Sequence, residues 1–250
     1  MLRQAGLDSF EGVKNFKGEL IKNHKGQRDI QRFSAVLPGA GATIGTYYLK
    51  RNWRPYKKDG LKSLLRRGEV WSQSRVEWEN SMALQRAGIG IAQPVAFGEE
   101  CGPLWEKFSF IITASARGEL TLEEFLRSNA SAAERRQVFD ALAQEVRKMH
   151  DAGLASADLF TRHIFVERGS NPKFCFIDMA RLDRRRSLPM KLRARDLAAL
   201  NITAPLRFIS AKERLHFLRS YGGNCALRRL VVERTNYLLK RRKFAGFLMR

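Results

Sequence analysis

The first half of the chain alternates short apolar runs with breaks that contain glycine and proline. Runs of this kind, bounded by turn residues, are typical of β-strands. Three come early in the chain, and two more follow after an interval. They lie around Val13–Ile21, Ile30–Leu37, Thr43–Arg51, Pro94–Gly98 and Leu104–Thr113. Three closely spaced strands joined by turns predict an antiparallel sheet at this end of the chain.

A helical spacing replaces the strand pattern between residues 69 and 87. Trp71, Trp78 and Met82 fall on one stripe of a helix, and Gly88 supplies a stop signal. The pattern predicts a helix between the third and fourth strands.

The second half of the chain is predicted to be mainly helical. Thr121–Glu124 and Ser131–Glu134 have the spacing of capping boxes, in which a hydroxyl and a carboxylate satisfy free amides at a helix start. The second of these helices is expected to end at Gly153, before a polar loop and two short strands, Ile164–Val166 and Phe174–Ile177. The remainder is helical and basic. A β-rich part followed by a helical part predicts an α+β fold.

Composition adds a strong electrostatic preference. The chain has 250 residues, 44% of them hydrophobic, and this length favours one domain over 1–250 with two lobes, 1–114 and 115–250. Its 46 Lys and Arg against 25 Asp and Glu give a net charge of +21. Such a field attracts polyanions without choosing among nucleic acid, anionic membrane and phosphorylated glycan. Because no nucleic-acid motif with interleaved aromatic residues accompanies the charge, no specific nucleic acid is expected as a partner.

The cysteines and the chain start favour a cytoplasmic protein. Cys101, Cys175 and Cys225 form no C-x-x-C pair, which argues against a disulfide framework or a zinc site. Residues 1–12 lack the apolar core of a signal peptide. No apolar run approaches the roughly 20 residues that span a bilayer. Any membrane contact is therefore expected to be peripheral.

Two residues fit the nucleotide side of phosphoryl transfer, a reaction that needs a cation on the nucleotide phosphates. Lys50 lies on the third predicted strand, where protein kinases keep the lysine that contacts the α- and β-phosphates. Glu77 lies in the apolar part of the predicted helix and is expected to form an ion pair with Lys50, whereas Glu79 is expected to face water. Taken alone, Lys50 could equally be an ordinary edge-strand lysine.

Three further residues fit the chemical step. Asp158 lies in the polar loop, as does the catalytic-loop aspartate of kinases, and His163 stands five residues later, where kinases keep a metal-binding Asn. Asp178 ends a short apolar run, like the Mg²⁺-binding aspartate of the Asp-Phe-Gly motif, although Met179 and Ala180 replace the Phe and Gly. Each could by itself be a turn aspartate or a surface histidine.

Six ordered parts of the chain, between roughly residues 20 and 221, carry a family resemblance. They are Tyr47–Arg51; Glu77–Trp78 with Arg86–Ile89 and Gln93–Gly98; Met149–Gly153; Asp158–His163; Phe176–Arg181; and Arg195–Leu200. Together they resemble the lipopolysaccharide kinase family (Kdo/WaaP, InaA-like), a distant branch of the protein-kinase fold. The Asp-x4-His spacing, with His in place of Asn, is typical of that family.

The resemblance implies ATP- and Mg²⁺-dependent phosphorylation of a sugar hydroxyl, heptose or Kdo, in the lipopolysaccharide inner core. It implies a protein-kinase-like bilobal fold with a small antiparallel β N-lobe, one key helix and a mainly helical C-lobe. Carried over by position, Asp158 is the catalytic aspartate, while Asp178 and His163 face the metal. Lys50 and Glu77 organise the nucleotide.

The loop before Asp158 departs from the family pattern. Ser156 and Ala157 stand where a His that braces the loop and an Arg that often contacts a phosphate are usual. Slower catalysis or altered regulation is therefore expected, and a pseudoenzyme or binding module for polyanions stays open, as does a protein or small-molecule kinase. Asp196 resembles the buried aspartate that braces the catalytic loop through backbone amides, which implies a structural role.

A glycine-rich segment, residues 39–45, is not predicted to bind phosphate, because its third glycine is one residue late for G-x-G-x-x-G. It directly precedes the lysine strand and is expected to form the turn between strands two and three. The loop over the phosphates is expected one hairpin earlier, at residues 23–27. Lys25 and Gly26 are its predicted nucleotide-binding residues.

Arginines follow the predicted metal aspartate, where kinases place the segment that receives the acceptor. The predicted acceptor-binding residues are Arg181, Arg184, Arg185 and Arg186. Arginine binds phosphate in bidentate fashion, so this segment suits lipopolysaccharide core or another anionic glycolipid. A solvated basic loop is the alternative.

The tail, residues 227–250, mixes basic and apolar residues. It could lie on an anionic membrane surface or pack as a last helix with a wet basic face, and packing is favoured. Together with the positive charge, the resemblance implies a cytoplasmic enzyme that is peripheral at the inner face of the bacterial inner membrane.

Overall fold

The computed structural model describes residues 2–36, 44–53, 55, 60–61, 63–65 and 68–240. The chain folds into two compact units. The N-terminal unit comprises the chain up to residue 82 and residues 92–115, and the C-terminal unit comprises residues 83–91 and the chain from 116 onward. The expected organisation as one domain with lobes 1–114 and 115–250 stays a prediction. Most of the glycine-rich segment predicted as a turn, residues 39–43, lies outside the described residues.

A five-stranded antiparallel sheet forms most of the N-terminal unit. The strands are β1 (Glu19–His24), β2 (Arg28–Val36), β3 (Ile44–Asn52), β4 (Pro94–Cys101) and β5 (Glu106–Ala114). They lie in the order β1-β2-β3-β5-β4, with antiparallel neighbours throughout. Because side chains alternate across a strand, Tyr47 and Leu49 of β3 point into one core together with Ile112 of β5. The predicted antiparallel sheet is confirmed.

The prediction of a first strand at Val13–Ile21 is wrong in its first half. Phe10–Asn15 forms a helix, α1, and Val13 is its buried residue. The helix starts here because the hydroxyl oxygen of Ser9 accepts a hydrogen bond of 3.0 Å from the amide of Gly12. The apolar residue therefore marks the buried face of a short helix, and the strand starts after it.

The predicted helix between β3 and β4 is present as α2 (Gln73–Arg86). It begins later than expected, because Ser72 caps it by accepting a hydrogen bond of 2.9 Å from the amide of Arg75. Trp71 consequently precedes the helix and is not part of its stripe. Gly88, with φ of +68°, follows the helix end in the left-handed region that favours glycine.

The C-terminal unit is mainly helical, with short strands between the helices. Its helices are α3 (Leu122–Arg127), α4 (Ala132–Asp151), α5 (Met190–Thr203), α6 (Ala211–Ser220) and α7 (Cys225–Leu239). Its strands are β6 (Leu120–Thr121), β7 (Leu154–Ser156), β8 (Ile164–Glu167), β9 (Lys173–Phe176) and β10 (Leu182–Arg184). Strand β8 pairs with β6 and β9, and β7 pairs with β10. Phe125, Leu142, Met149 and Phe176 are fully enclosed in the core.

One of the two predicted capping boxes is complete. Thr121 and Glu124 each bond the other's backbone amide at the start of α3. At the start of α4, Ser131 accepts a hydrogen bond of 3.2 Å from the amide of Glu134. The Glu134 carboxylate instead accepts a hydrogen bond of 2.7 Å from Arg168, so the reciprocal half of this box is replaced by an ion pair.

The described part of the basic tail packs against the protein. Helix α7 buries Leu227, Val231 and Leu238, in agreement with the favoured alternative as far as residue 240. Residues 241–250 lie outside the described residues. Within the described residues, no helix is both long enough and apolar enough to cross a membrane.

Candidate active site

The N-terminal unit contains the expected pair of Lys50 and Glu77. Lys50 Nζ lies 2.8 Å from each carboxylate oxygen of Glu77. The two side chains are only 13% and 12% exposed, so water screens their attraction much less than at the surface. The ion pair expected from the sequence is therefore present, while its contact with a nucleotide stays a prediction.

Both partners of this pair are held by regular structure. Lys50 sits in the middle of the sheet, opposite Ile30 of β2 and Ile111 of β5. Glu77 is fixed on α2, where the neighbouring Trp78 packs its ring 5.1 Å from that of Phe97. An internal strand and an anchored helix leave little freedom for either backbone, which is what a charge aimed at a substrate requires.

The predicted phosphate loop is a tight hairpin turn between β1 and β2. Lys25 and Gly26 have φ of +50° and +70°, and the amide of Gln27 bonds the carbonyl of His24 at 2.9 Å. Two successive residues of positive φ are characteristic of a type I′ turn. The amide of Gly26 donates to Asn23 Oδ1 at 2.9 Å. Nucleotide binding by Lys25 and Gly26 stays a prediction.

In the C-terminal unit, the loop between β7 and β8 brings Asp158 and His163 together. A 3₁₀ turn, Thr161–His163, folds the chain back so that His163 Nδ1 lies 3.0 Å from the carbonyl oxygen of Asp158. A carbonyl only accepts, so Nδ1 carries the proton. Arg162 Nε lies 3.2 Å from Nε2 and donates to it. Burial lowers the pKa of His163 below its ordinary value, although the Asp158 carbonyl and Asp178 act to raise it. The lowered pKa favours a neutral ring with a lone pair on Nε2.

Asp178 joins this group from the end of β9. Its Oδ2 lies 4.0 Å from His163 Nε2. Its φ of +56° lies in the left-handed region, which costs a residue with a Cβ about 1 kcal/mol. The amide of Ile177 donates to the carbonyl of His163 at 2.9 Å and ties the two loops together. The structure thus brings Asp158, His163 and Asp178 into one group.

Asp178 and His163 could supply part of a metal shell. Among the described residues, no group of three or more His, Cys, Asp or Glu could hold a metal ion. Mg²⁺ commonly takes one or two carboxylates and completes its shell with water and substrate phosphates. The Asp178 carboxylate is 47% exposed and is a hard oxygen ligand of the kind that Mg²⁺ prefers.

Ser156 and Asp196 support the start of the Asp158 loop. The amide of Ser156 donates a hydrogen bond of 2.5 Å to Asp196 Oδ2, and both residues are fully buried. The Ser156 hydroxyl oxygen accepts from the amide of Asp158 at 3.3 Å. Asp196 Oδ1 accepts from Arg195 Nε at 2.8 Å. The buried brace expected of Asp196 is present, and the serine that replaces the usual histidine itself supports Asp158.

A second support, centred on His150, was not expected from the sequence. His150 at the end of α4 is fully buried, with Nε2 at 3.3 Å from Asp196 Oδ2 and Nδ1 at 2.8 Å from the hydroxyl of Tyr221. Because a carboxylate only accepts, Nε2 carries the proton and Nδ1 accepts from the tyrosine. The four-residue spacing from Leu142 and Val146 to His150 was the available signal, since it places this histidine on the buried face of α4.

One of the four predicted acceptor-binding arginines contacts Asp158, and the other three lie on the surface. Arg181 NH1 lies 3.1 Å from Asp158 Oδ1, so this residue belongs to the same group. The other three predicted acceptor-binding residues, Arg184, Arg185 and Arg186, are exposed. Their chain is fixed because β10 pairs with β7 and the amide of Arg185 donates to the carbonyl of Gly153 at 2.9 Å. Acceptor binding by all four arginines stays a prediction.

A lysine–glutamate ion pair between a strand and a helix is characteristic of protein kinases, and so are two aspartates on the loops of the helical unit. The model of the lipopolysaccharide kinase (Kdo/WaaP) family matches residues 12–221. The chain belongs to the lipopolysaccharide kinase (Kdo/WaaP) family.

Named relatives cover most of the chain. The lipopolysaccharide core heptose(I) kinase WaaP of Pseudomonas aeruginosa is 26% identical over 225 residues, which cover 86% of this chain and 81% of the relative. The protein of the same name from Escherichia coli K12 is 28% identical over 244 residues, 93% of this chain and 88% of the relative. A solved structure of WaaP in complex with acyl carrier protein has a TM-score of 0.68 and 25% identity, covering 98% of this chain and 95% of that chain.

These comparisons confirm three expectations from the sequence. The family is the one that the ordered motifs resemble, the fold is α+β and protein-kinase-like, and the protein is a kinase that acts on lipopolysaccharide. Membership of a kinase family implies ATP as the phosphoryl donor. The roles of individual residues stay predictions.

Proposed function

We propose that the protein transfers the γ-phosphate of ATP to a heptose hydroxyl of the lipopolysaccharide inner core. The observation that carries the proposal is the likeness to two heptose(I) kinases over most of both chains. Their names favour heptose over Kdo as the acceptor sugar. The grouping of Asp158, His163 and Asp178 on the loops of the C-terminal unit supplies the chemistry.

Asp158 orients the acceptor and takes its proton. The hydroxyl donates a hydrogen bond to the Asp158 carboxylate, the hydroxyl oxygen bonds to the γ-phosphorus, and the bond from that phosphorus to its bridging oxygen breaks, releasing ADP. The hydroxyl proton passes to the carboxylate. Asp158 is suited to this role because its own amide and carbonyl are bonded to Ser156 and His163, which fixes the position of its backbone.

Asp178 and His163 hold Mg²⁺ in this proposal. When bound, the ion neutralises the charge of the phosphate oxygens. The Asp178 carboxylate would offer oxygen ligands, and the neutral His163 would offer the Nε2 lone pair in exchange for the hydrogen bond from Arg162. At a pH below the ordinary pKa of histidine, the ring gains a proton at Nε2 and loses that lone pair.

Lys50 and Glu77 position the nucleotide in this proposal. Lys50 supplies the cation for the α- and β-phosphates, and Glu77 keeps its ammonium group in place. Lys25 and Gly26 lie in the hairpin turn proposed to cover the phosphates, the first with its charge and the second with its backbone.

The acceptor is held by positive charge. Arg184, Arg185 and Arg186 present exposed guanidinium groups from a fixed backbone. The net charge of +21 favours an anionic membrane, where each basic residue near the surface adds about 1 kcal/mol. We place the enzyme at the cytoplasmic face of the bacterial inner membrane, as a peripheral protein that meets its glycolipid acceptor there.

An acyl carrier protein is a second proposed partner. The solved relative with a TM-score of 0.68 is WaaP in complex with acyl carrier protein. Because the likeness covers 98% of this chain, the same association is proposed here. Size-exclusion chromatography of the two purified proteins, alone and mixed, measures it, and unchanged elution of both proteins in the mixture argues against it.

The test of the kinase proposal is transfer of labelled phosphate from ATP to purified core oligosaccharides of defined phosphorylation. Transfer to a heptose-containing oligosaccharide is expected from the native protein. Asp158→Asn is expected to lower the rate by about 10²-fold or more, the usual worth of a general base. Asp178→Ala is expected to abolish transfer. Asp140→Asn serves as control, since Asp140 bonds Ser220 and His216 outside the site.

Thermal unfolding with Mg²⁺ and ATP separates the alternatives. The kinase proposal predicts that the nucleotide raises the unfolding midpoint of the native protein and of Asp158→Asn. A pseudoenzyme or polyanion-binding module, suggested by Ser156 and Ala157, predicts no such shift and no effect of Asp158→Asn on function. ATP binding without transfer to any core oligosaccharide rejects the sugar acceptor while leaving a kinase for another substrate.

A further inference from the structure

Arg181 covers the carboxylate that the proposed function makes catalytic. Its NH1 lies 3.1 Å from Asp158 Oδ1. The Asp158 side chain is 17% exposed, while that of Arg181 is 63% exposed. Only Oδ1 is bonded by Arg181 in this contact, so the arginine occupies one of the two oxygens that can accept a hydrogen bond from the acceptor hydroxyl.

The two partners differ in how firmly they are held. Asp158 is bonded through its carbonyl to His163 and through its amide to Ser156. Arg181 reaches the carboxylate with a long side chain that stands mostly in water. When the contact breaks, Arg181 is therefore the partner that moves.

The free energies favour an exchange of partners. Because the Arg181 side chain is 63% exposed, water screens its attraction to Asp158, and Arg181 leaves Asp158 at little cost. Arginine forms stronger, bidentate hydrogen bonds with a carboxylate or phosphate group that approaches it in the right plane. An anionic group on the acceptor can therefore compete successfully for this guanidinium.

We propose that Arg181 makes the reaction selective for acceptors that carry an anionic group beside the reacting hydroxyl. That group takes Arg181 from Asp158, and the freed Oδ1 accepts the hydrogen bond of the hydroxyl. A neutral acceptor leaves Arg181 in place, where it competes with the hydroxyl for the same oxygen. Arg181 is thus a positioning and specificity residue, and the proposal rests on the kinase function above.

The experiment compares four forms of one core oligosaccharide, isolated from cells that lack this kinase. Its carboxylates are left free or converted to methylamides, and its phosphates are retained or removed. Steady-state kcat and KM are measured for each form with the native protein and with Arg181→Gln and Arg181→Lys. If kcat/KM falls when the carboxylates are neutralised, a carboxylate binds Arg181. If it falls when the phosphates are removed, a phosphate does.

Arg168→Gln is the matched control. Arg168 belongs to the same unit and makes an ion pair of comparable length, 2.7 Å to Glu134, on the surface of α4. The substitution removes the same single charge without touching Asp158. Thermal unfolding of each variant shows that the fold is retained.

The native protein is expected to favour an anionic form over the fully neutral form by roughly 10-fold or more in kcat/KM, the worth of a hydrogen bond between charged groups. In Arg181→Gln this ratio falls to about one, because transfer to the anionic form slows while transfer to the neutral form becomes faster. Arg181→Lys gives an intermediate ratio, and Arg168→Gln keeps the native one.

Two results overturn the proposal. Equal use of all four forms by the native protein, or an equal loss on all forms in Arg181→Gln, removes the selective role and leaves the kinase function standing. No transfer to any form removes the kinase function on lipopolysaccharide and the role of Arg181 with it.

Discussion

Lys50 donates to both carboxylate oxygens of Glu77 at 2.8 Å, and the contact is almost fully enclosed. A second ion pair of the same length, Lys14 with Glu100, lies in the same unit but is 30–38% exposed. Equal distance with unequal burial means that the two pairs differ in how strongly water screens them.

We expect Glu77→Gln to lower kcat/KM for ATP by roughly 10- to 100-fold, because the amide no longer holds the ammonium group of Lys50 by charge. Glu100→Gln is the matched control and is expected to change kcat/KM by less than about twofold, since an exposed pair contributes little. Initial rates at varied ATP measure both. Equal effects of the two substitutions contradict a nucleotide-positioning role for Glu77.

Asp196→Asn is expected to lower the free energy of unfolding by about 3 kcal/mol, because the donors around this fully buried carboxylate lose an ionised acceptor. The carboxylate accepts from Ser156, His150 and Arg195, and an amide cannot accept from all three. Urea unfolding measures the change. Asp140→Asn, at a half-exposed position, is expected to cost less than about 1 kcal/mol. A loss for Asp196→Asn no larger than for this control contradicts the bracing role.

Local patterns in the sequence were enough to predict the sheet and the ion pair between Lys50 and Glu77. The position of Lys50 on the third predicted strand and the apolar neighbourhood of Glu77 on α2 together predict that the two side chains meet, as they do in the structure. The error at Val13 has a local cause too. A buried residue on a one-turn helix and a buried residue on a strand look alike until the Ser9 cap is recognised.

The family resemblance implied the brace by Asp196, but the contacts of His150, Tyr221 and Ser156 could not be predicted, because they join distant parts of the chain. His150 and Tyr221 are 71 residues apart, and Ser156 and Asp196 are 40 apart. The sequence shows that a usual histidine is replaced by Ser156, but not that a histidine on another element also bonds the same aspartate. Likewise, the pairing of Arg181 with Asp158 follows from the path of the chain into β10, which charge counting does not reveal.

Tyr221→Phe is expected to lower the free energy of unfolding by about 1 kcal/mol, since it removes one buried hydrogen bond to His150 Nδ1. His150→Ala is expected to cost more, because Asp196 and Tyr221 both lose a partner. A double-mutant cycle measured by urea unfolding should give a coupling energy of about 1 kcal/mol between the two positions. Additive losses contradict the contact between them.

The cysteines are expected to differ in reactivity. Burial, together with the carboxylates of Glu99 and Glu106, raises the pKa of Cys101 to about 11. Cys101 and Cys225 are both exposed, but since the thiolate is the nucleophile, iodoacetamide at pH 8 is expected to modify Cys225 well before Cys101. Modification of Cys101 should accelerate as the pH rises towards 11. Peptide mass spectrometry over time measures both rates, and equal rates at pH 8 contradict the raised pKa.

Gly153→Ala tests whether the pairing of β7 with β10 positions the arginine segment. Gly153 has φ of +78°, and a Cβ there would lie 1.9 Å from the carbonyl oxygen of Arg185. Because this neighbour is a backbone atom and not the end of a flexible side chain, β10 must shift. Overpacking and the left-handed backbone together are expected to lower the free energy of unfolding by about 2–4 kcal/mol. Gly6→Ala is the control, because Gly6 has a similar φ of +67° with nothing within 4 Å, and about 1 kcal/mol is expected.

Because β10 carries the chain from Arg181 to the exposed arginines, Gly153→Ala is also expected to raise KM for the oligosaccharide acceptor more than KM for ATP. A substitution that only loosened the fold would affect both substrates alike at a temperature well below its unfolding midpoint. The comparison of the two KM values in Gly153→Ala and Gly6→Ala therefore separates a displaced acceptor surface from a general loss of stability.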